Sequence, residues 1–286
     1  MTTTVTLTGT GVPHVTPGRA GAGVLVSHEG IHLQFDAGRA TVLRLAEAGV
    51  MPGDLTAQFI THYHSDHVVD LVDVVMTRWI MGQLHPAPPL DIVVPEGPAT
   101  RFVQRMLDPY DDDVLIRRQH VDSPAITTNI MAFAVTTSPS AVWTSGNGAV
   151  VVEAVGVHHE PVEAAVAYRV TTPDGVVVIS GDTRVCDEVF ELAGAADVLV
   201  HEACRKDAMS AAIAGTAFEK IFDYHADTSM LGEFAQRFGI RHLVLTHLIP
   251  QPRTDRDIHG FERDLRNGGY TGRVTVGRDL DRIEIG

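Results

Sequence analysis

Short β-branched runs alternate with polar positions through the first third of the chain and predict strands over residues 5–7, 24–27 and 31–35. Gly9, Gly11, Gly21, Gly23 and Gly30 punctuate them as tight turns. Over residues 40–48 the apolar period lengthens to the helical one and stops at Gly49, after which 58–60 resumes as a strand. Val68, Leu71, Val72, Val75, Met76 and Ile80 recur at helical intervals, which predicts a helix from His67 to Met81. Residues 82–144 lose the pattern and are rich in Pro and Asp. They read as a variable insertion, at about 82–148, that shapes a substrate pocket. The run Asp111-Asp112-Asp113 inside it reads as a solvated loop, since no repeated ligand spacing accompanies it. Strands return at 150–157, 165–170, 176–179 and 198–200, helices at 186–192, 210–222 and 229–238, then a strand at 243–246, a helix at 258–266 and two closing strands. Strand-rich halves carrying helices, with no internal repeat or low-complexity linker, predict one α+β domain over 1–286, a four-layer αββα sandwich.

Composition supports one large domain: 286 residues that are 44% hydrophobic can bury a substantial core. The amino-terminal residues lack the basic patch and apolar stretch of a secretory leader, and no later apolar run spans a bilayer, so a soluble cytoplasmic protein is expected, with no membrane partner. The two cysteines, Cys186 and Cys204, have no Cys-x-x-Cys spacing and read as buried thiols. A net charge of −14 argues against a general electrostatic grip on a polyanion such as a long RNA. Two bound divalent cations would offset it at one spot, leaving room for an electropositive pocket.

Chemistry concentrates at the end of the 58–60 strand, in Thr61-His62-Tyr63-His64-Ser65-Asp66-His67. Imidazole nitrogens and a carboxylate are ligands that zinc, manganese and iron accept, and their density outweighs the alternative of a polar surface loop. Isolated histidines, such as His14, His28, His32, His85 and His259, read instead as surface or hydrogen-bonded core residues.

The His-x-His-x-Asp-His pattern resembles the signature of the metallo-β-lactamase superfamily. Leu7-Thr8-Gly9-Thr10-Gly11 and Phe35-Asp36-Ala37-Gly38 are similar to the amino-terminal strands of the branch that includes ribonuclease Z and the zinc-dependent arylsulfatases. His159-Glu160-Pro161-Val162, followed by Ala167-Tyr168-Arg169-Val170, is similar to that branch's third metal-binding segment. Ser180-Gly181-Asp182-Thr183 resembles its bridging-aspartate segment, and Leu245-Thr246-His247 its last ligand. The resemblance implies that His62, His64 and His159 hold one divalent metal, that Asp66, His67 and His247 hold the other, and that Asp182 bridges them. Zinc is the first expectation, with manganese or iron also accepted. His159 is preferred over His158 by its spacing to Pro161-Val162. The resemblance further implies attack by a metal-bound hydroxide that Asp66 orients, with His225, in Tyr224-His225-Ala226-Asp227-Thr228, as proton donor to the leaving group. Glu202, in Val200-His201-Glu202-Ala203, either fixes the tautomer of His225 or is a buried structural carboxylate. Arg184 reads as a substrate contact or a surface ion pair, and Trp79 as core rather than pocket.

Bacterial ribonuclease Z carries a long arm that grips transfer RNA between the third ligand segment and the bridging aspartate. Here only 22 residues lie between His159 and Asp182, enough for a hairpin. The expected activity is therefore hydrolysis of an ester bond, a phosphodiester or a sulfate ester, in a small-molecule substrate. An RNA endonuclease without the arm, which would need arginines clustered into a groove, is the alternative, as is a lactonase or carboxylic esterase. A di-iron redox protein would normally couple to a flavin module, which does not follow here, and a binding module would have lost ligands. A homodimer is expected by analogy with the branch.

Overall fold

A computed structural model describes residues 2–286; Met1, which opens the amino-terminal stretch read above, lies outside them. β1 (Thr3–Gly9), β2 (Gly23–His28) and β3 (Ile31–Phe35) form an antiparallel meander. α1 (Thr41–Glu47) returns the chain to β4 (Ala57–Phe59), which lies parallel to β3. α2 (Ser65–Val68) and α3 (Leu71–Met81) lead to β5 (Leu90–Pro95), and α4 (Pro98–Arg105) and α5 (Asp111–Val121) lead to the edge strand β6 (Thr128–Phe133). The second sheet opens with the antiparallel run β7 (Ser140–Thr144), β8 (Val151–Gly156), β9 (Val166–Thr172) and β10 (Gly175–Ile179). It continues through α6 (Asp187–Leu192) to β11 (Val198–Cys204), parallel to β10. α7 (Lys206–Ile213), α8 (Ile221–Tyr224) and α9 (Thr228–Arg237) precede β12 (His242–Ile249), and α10 (Asp255–Asn267) precedes β13 (Arg273–Val276). β14 (Arg282–Ile285) then crosses back to pair with β1, completing two seven-stranded sheets.

Three separate buried clusters define four layers. One, with Phe35, Phe59, Trp143, Tyr168 and Val200, fills the space between the sheets. A second packs α6, α9 and α10 on the outer face of the second sheet, and a third packs α1, α3 and α4 on the first. This is the αββα sandwich. Inside it Phe35 and Phe59 stack at 4.6 Å, and the buried hydroxyl of Tyr168 donates to the Ile60 carbonyl at 2.7 Å. That bond ties the second sheet to the residues just ahead of the histidine run, where an unmade partner would cost about 1–3 kcal/mol.

Three regions depart from the sequence expectations. The helix predicted from His67 to Met81 is broken at Val69 and Asp70, because Ala37 inserts its backbone there: its N–H donates to the His67 carbonyl and its carbonyl accepts from the Asp70 N–H. Residues 82–148 are not irregular but supply β5, α4, α5, β6 and β7. β5 is buried between parallel neighbours, so it shows an unbroken apolar run rather than alternation. Asp111, Asp112 and Asp113 form the first turn of α5, where acidic side chains suit the helix dipole. The helix predicted over 210–222 divides into α7 and α8, parted at Gly215, which has φ of 74°.

The loop after β3 passes the histidine run with no room for a side chain. A Cβ at Gly38 would lie 2.3 Å from the Asp66 carbonyl oxygen and 2.5 Å from the Ala22 nitrogen. Both obstacles are backbone, so Gly38→Ala must push the strands apart, at a cost of ~1–3 kcal/mol. Thermal unfolding of that variant is expected to show a Tm several degrees lower; an unchanged Tm would mean that the crossing opens freely.

Candidate metal centre

Most residues of the centre sit where a strand of the sandwich ends on one rim. His62, His64, Asp66 and His67 follow β4, His159 follows β8, and Asp182 follows β10. His247 reaches the rim differently. Glu202 pairs with Thr246 and Ala203 with Leu248, so His247 is the extra residue of a β-bulge in β12, with φ of 43°. A bulge re-aims the side chain it carries, and here it turns an imidazole toward the other sheet.

The fold brings the expected side chains together. Nitrogen atoms of His62, His64 and His159 lie within 4.8 Å of one another, as do the ligand atoms of Asp66, His67 and His247. One oxygen of Asp182 stands between the two groups, 3.3 Å from His67 Nε2, 3.3 Å from His247 Nε2 and 3.9 Å from His159 Nε2. His158 points elsewhere, its Nε2 lying 3.1 Å from Glu188. Arg184 pairs with Glu160 at the surface, and Trp79 is buried with its indole N–H on the Pro124 carbonyl.

Hydrogen bonds fix which imidazole nitrogens face inward. His67 Nδ1–H donates to Asp36 at 2.7 Å, and His159 Nδ1–H to the Tyr224 carbonyl at 3.1 Å. The Thr61 hydroxyl donates to Asp36 at 2.8 Å and accepts from His62 Nδ1–H at 3.1 Å. The Nε2 atoms of His62 and His67 are left buried without a hydrogen-bond partner. What sets these two apart from other unpartnered buried atoms of the chain is their position among carboxylates and further imidazoles, a donor set that fits divalent metal ions. The electrostatics agree. Burial and the adjoining His67 hold His62 well below the usual imidazole range, while His247 and His67 outweigh burial and hold the Asp182 carboxyl well below its own.

Asp36 was missed as a functional residue in the sequence, although its segment carried part of the resemblance. It accepts from the Thr61 N–H and hydroxyl and from His67 at once, and it holds φ at 56°. Its position directly after a strand and two residues before a glycine was the available signal. The partner of a ligand imidazole sets ring orientation and basicity.

His225 stands beside the ligands, its ring stacked on His247 at 5.5 Å and 5.2 Å from that of His159. The buried carboxylate of Glu202 accepts its Nδ1–H at 2.9 Å and also takes the backbone N–H groups of Thr183 and Ala226. Burial alone would lower the imidazole, but Glu202 overrides it and pushes His225 up to about 9.

A cavity of about 500 Å³ opens onto this group, with His64, Asp66, Asp182, His225 and His247 as its polar floor. Its walls are Val12, Pro13 and His14 on one side and Met209, Ile213, Phe218 and Ile221 on the other. The 82–148 segment contributes nothing to that lining, contrary to the expectation that it shapes the pocket. The sequence signal for the true wall was the run of apolar residues in 209–221 that the outer layers do not cover.

Among known proteins, residues 3–226 match the family model described as anti-Pycsar protein Apyc1. The chain is 33% identical over 281 residues to a protein named ribonuclease Z from Mycobacterium bovis (strain BCG / Pasteur 1173P2), covering 98% of each. In fold it is similar to the metallo-β-lactamase fold protein YhfI from Bacillus subtilis, with a TM-score of 0.73 at 20% identity, over 99% of this chain and 100% of that one. It is also similar to human tRNase Z, short form (ELAC1), with a TM-score of 0.68 at 22% identity over 99% of both.

Removing the Asp36 carboxylate should loosen the metal centre before it unfolds the protein. For Asp36→Ala we expect metal affinity to fall by about 10–100-fold, measured by competition with a chromogenic chelator; wild-type affinity would show that His67 needs no such partner.

Proposed function

The chain belongs to the anti-Pycsar protein Apyc1 family and is a ribonuclease Z-like, metallo-β-lactamase-fold hydrolase acting on ester bonds; from that premise we propose that it cleaves a small phosphodiester, ahead of a sulfate ester, with two divalent metal ions. One observation carries the choice of substrate class. The polar floor of the cavity pairs the ligand cluster with a proton-bearing His225, while among the described residues no lysine or arginine lines its walls. Such a site suits a compact anionic ester with an apolar body better than a long polyanion. Residues 160–181 support this, because they are spent on the β9–β10 hairpin with Pro173 and Asp174 at its turn, which leaves no arm to grip RNA.

In this reading His62, His64 and His159 would hold one ion and Asp66, His67 and His247 the other, with Asp182 available to both. Zinc is the first choice for these nitrogen and carboxylate ligands. Bound divalent ions supply Lewis acidity and lower the pKa of coordinated water, which provides a nucleophile near neutral pH. Asp66, on the cavity floor, would help to orient the attacking water. His225 Nε2 passes its proton to the departing oxygen, and Glu202 acts as a positioning residue that holds the Nδ1–H and keeps the ring charged until transfer. The apolar walls exclude bulk water around the ester, which strengthens each of these interactions. We also place the reaction in a reducing, cytoplasmic compartment, in keeping with the buried free thiols of Cys186 and Cys204.

A proton donor matters most when the leaving group is poor. His225→Ala is expected to slow p-nitrophenyl diesters by about tenfold and diesters with alkyl leaving groups by about 10²–10⁴-fold, read as kcat on metal-loaded protein. Equal losses for both would remove His225 from the proton-transfer step. Turnover of sulfate or carboxylic esters or RNA in preference to every phosphodiester would overturn the substrate class.

A further inference from the structure

A second cavity, of about 330 Å³, borders α3 and shares no lining residue with the one above the metal centre. Val75, Arg78 and Trp79 recur at helical spacing and turn one face of α3 to it. Pro86 and Pro88, ahead of β5, and Pro124, ahead of β6, stand among its other walls. Within this mostly apolar lining Arg78 is the one charged side chain among the described residues.

Arg78 is only 7% exposed. Its Nη1 donates to the Pro52 carbonyl at 2.7 Å and to those of Gly53 and Leu55 at 3.0 Å, and its Nη2 to the Pro88 carbonyl at 2.7 Å. All four acceptors are neutral, and no carboxylate pairs with the guanidinium among the described residues. Burial outweighs the attraction of Asp54, whose own carboxylate takes the Met51 N–H at 2.9 Å, and pulls Arg78 below the usual guanidinium range. Of the five N–H groups of a guanidinium, these bonds leave Nε–H and one Nη2–H without an acceptor among the described residues. Nε is not sealed in the interior either, so its N–H opens on the cavity that the residue lines. Bracing four carbonyls accounts for the side chain, but a buried cation without a counter-charge is costly. An anion in the hollow beside it would complete the arrangement.

We infer that this cavity is a second ligand site, which takes a small monocarboxylate with an apolar or aromatic body. One cation in the lining matches one negative charge, and a carboxylate suits the free guanidinium donors. The body would lie against Trp79 and the proline rings, in a volume at the small end of ligand pockets. The site stands apart from the metal centre and does not depend on which ester is cleaved there.

Benzoate and benzyl alcohol share a ring and differ in charge, so their Kd values with metal-loaded protein, from isothermal titration calorimetry, isolate the contact with Arg78. Wild type is expected to favour benzoate by about tenfold, and the fluorescence of Trp79, one of 2 tryptophans in the chain, should shift in step with binding. Ala125 lines the same cavity and is exposed, so Ala125→Glu adds a competing carboxylate to the lining without disturbing the core. That variant should weaken benzoate by about tenfold or more and leave benzyl alcohol within about twofold. Arg78→Gln should erase the preference for charge; if losing the carbonyl bonds unfolds it, as circular dichroism would show, Ala125→Glu decides alone. Benzoate bound at the metal centre instead would survive Ala125→Glu and leave the Trp79 fluorescence unchanged. That result, no saturable benzoate binding, or equal affinity for benzyl alcohol would overturn the second site.

Discussion

Asp36 takes three hydrogen bonds on one buried carboxylate, two from Thr61 and one from His67, and so fixes the loop after β4 at both ends. The rest of the centre follows from that. With Thr61 bonded to Asp36, its oxygen accepts from His62, which turns His62 Nε2 inward; with His67 Nδ1–H committed, its Nε2 must also face the cluster. Gly38 lets the backbone beyond Asp36 cross Asp66 at contact distance, and Ala37 breaks the helix just after His67. A carboxylate that belongs to no metal site thus arranges the side chains that would.

The second sheet meets this loop with independent devices. Tyr168 ties it to Ile60, a bulge turns His247 back across the gap, and Glu202 gathers Thr183, His225 and Ala226 around one carboxylate. Two buried carboxylates, one per sheet, therefore each orient an imidazole toward the same point. Concentrating this many titratable groups in a dry rim is unfavourable without cations to share, which is the physical case for metal at this site.

The layered fold was legible because most of its strands bury one face and show it as alternation or as short β-branched runs. β5 escaped because parallel strands buried on both faces lose that period, and the Pro-rich residues before it looked like loop. The histidine run announced itself by density, and His159, Asp182 and His247 through the family resemblance. His247's bulge had no local signal, since it exists only in the register between β11 and β12. Asp36 lies 25 positions from Thr61, and nothing in periodicity marks a residue whose role is to hold another in place. The cavity wall was hidden for the same reason that it is useful: residues 209–221 keep apolar side chains for a ligand rather than for the core.

Taken together these features fit the two-metal centre proposed above, in which Asp182 would be shared between the ions. Metal counting by plasma mass spectrometry, on wild type and Asp182→Asn purified with excess metal removed, tests it most directly. About two ions per wild-type chain and a marked loss of metal from the variant are expected. One or no ion in wild type, or full occupancy in the variant, would contradict it.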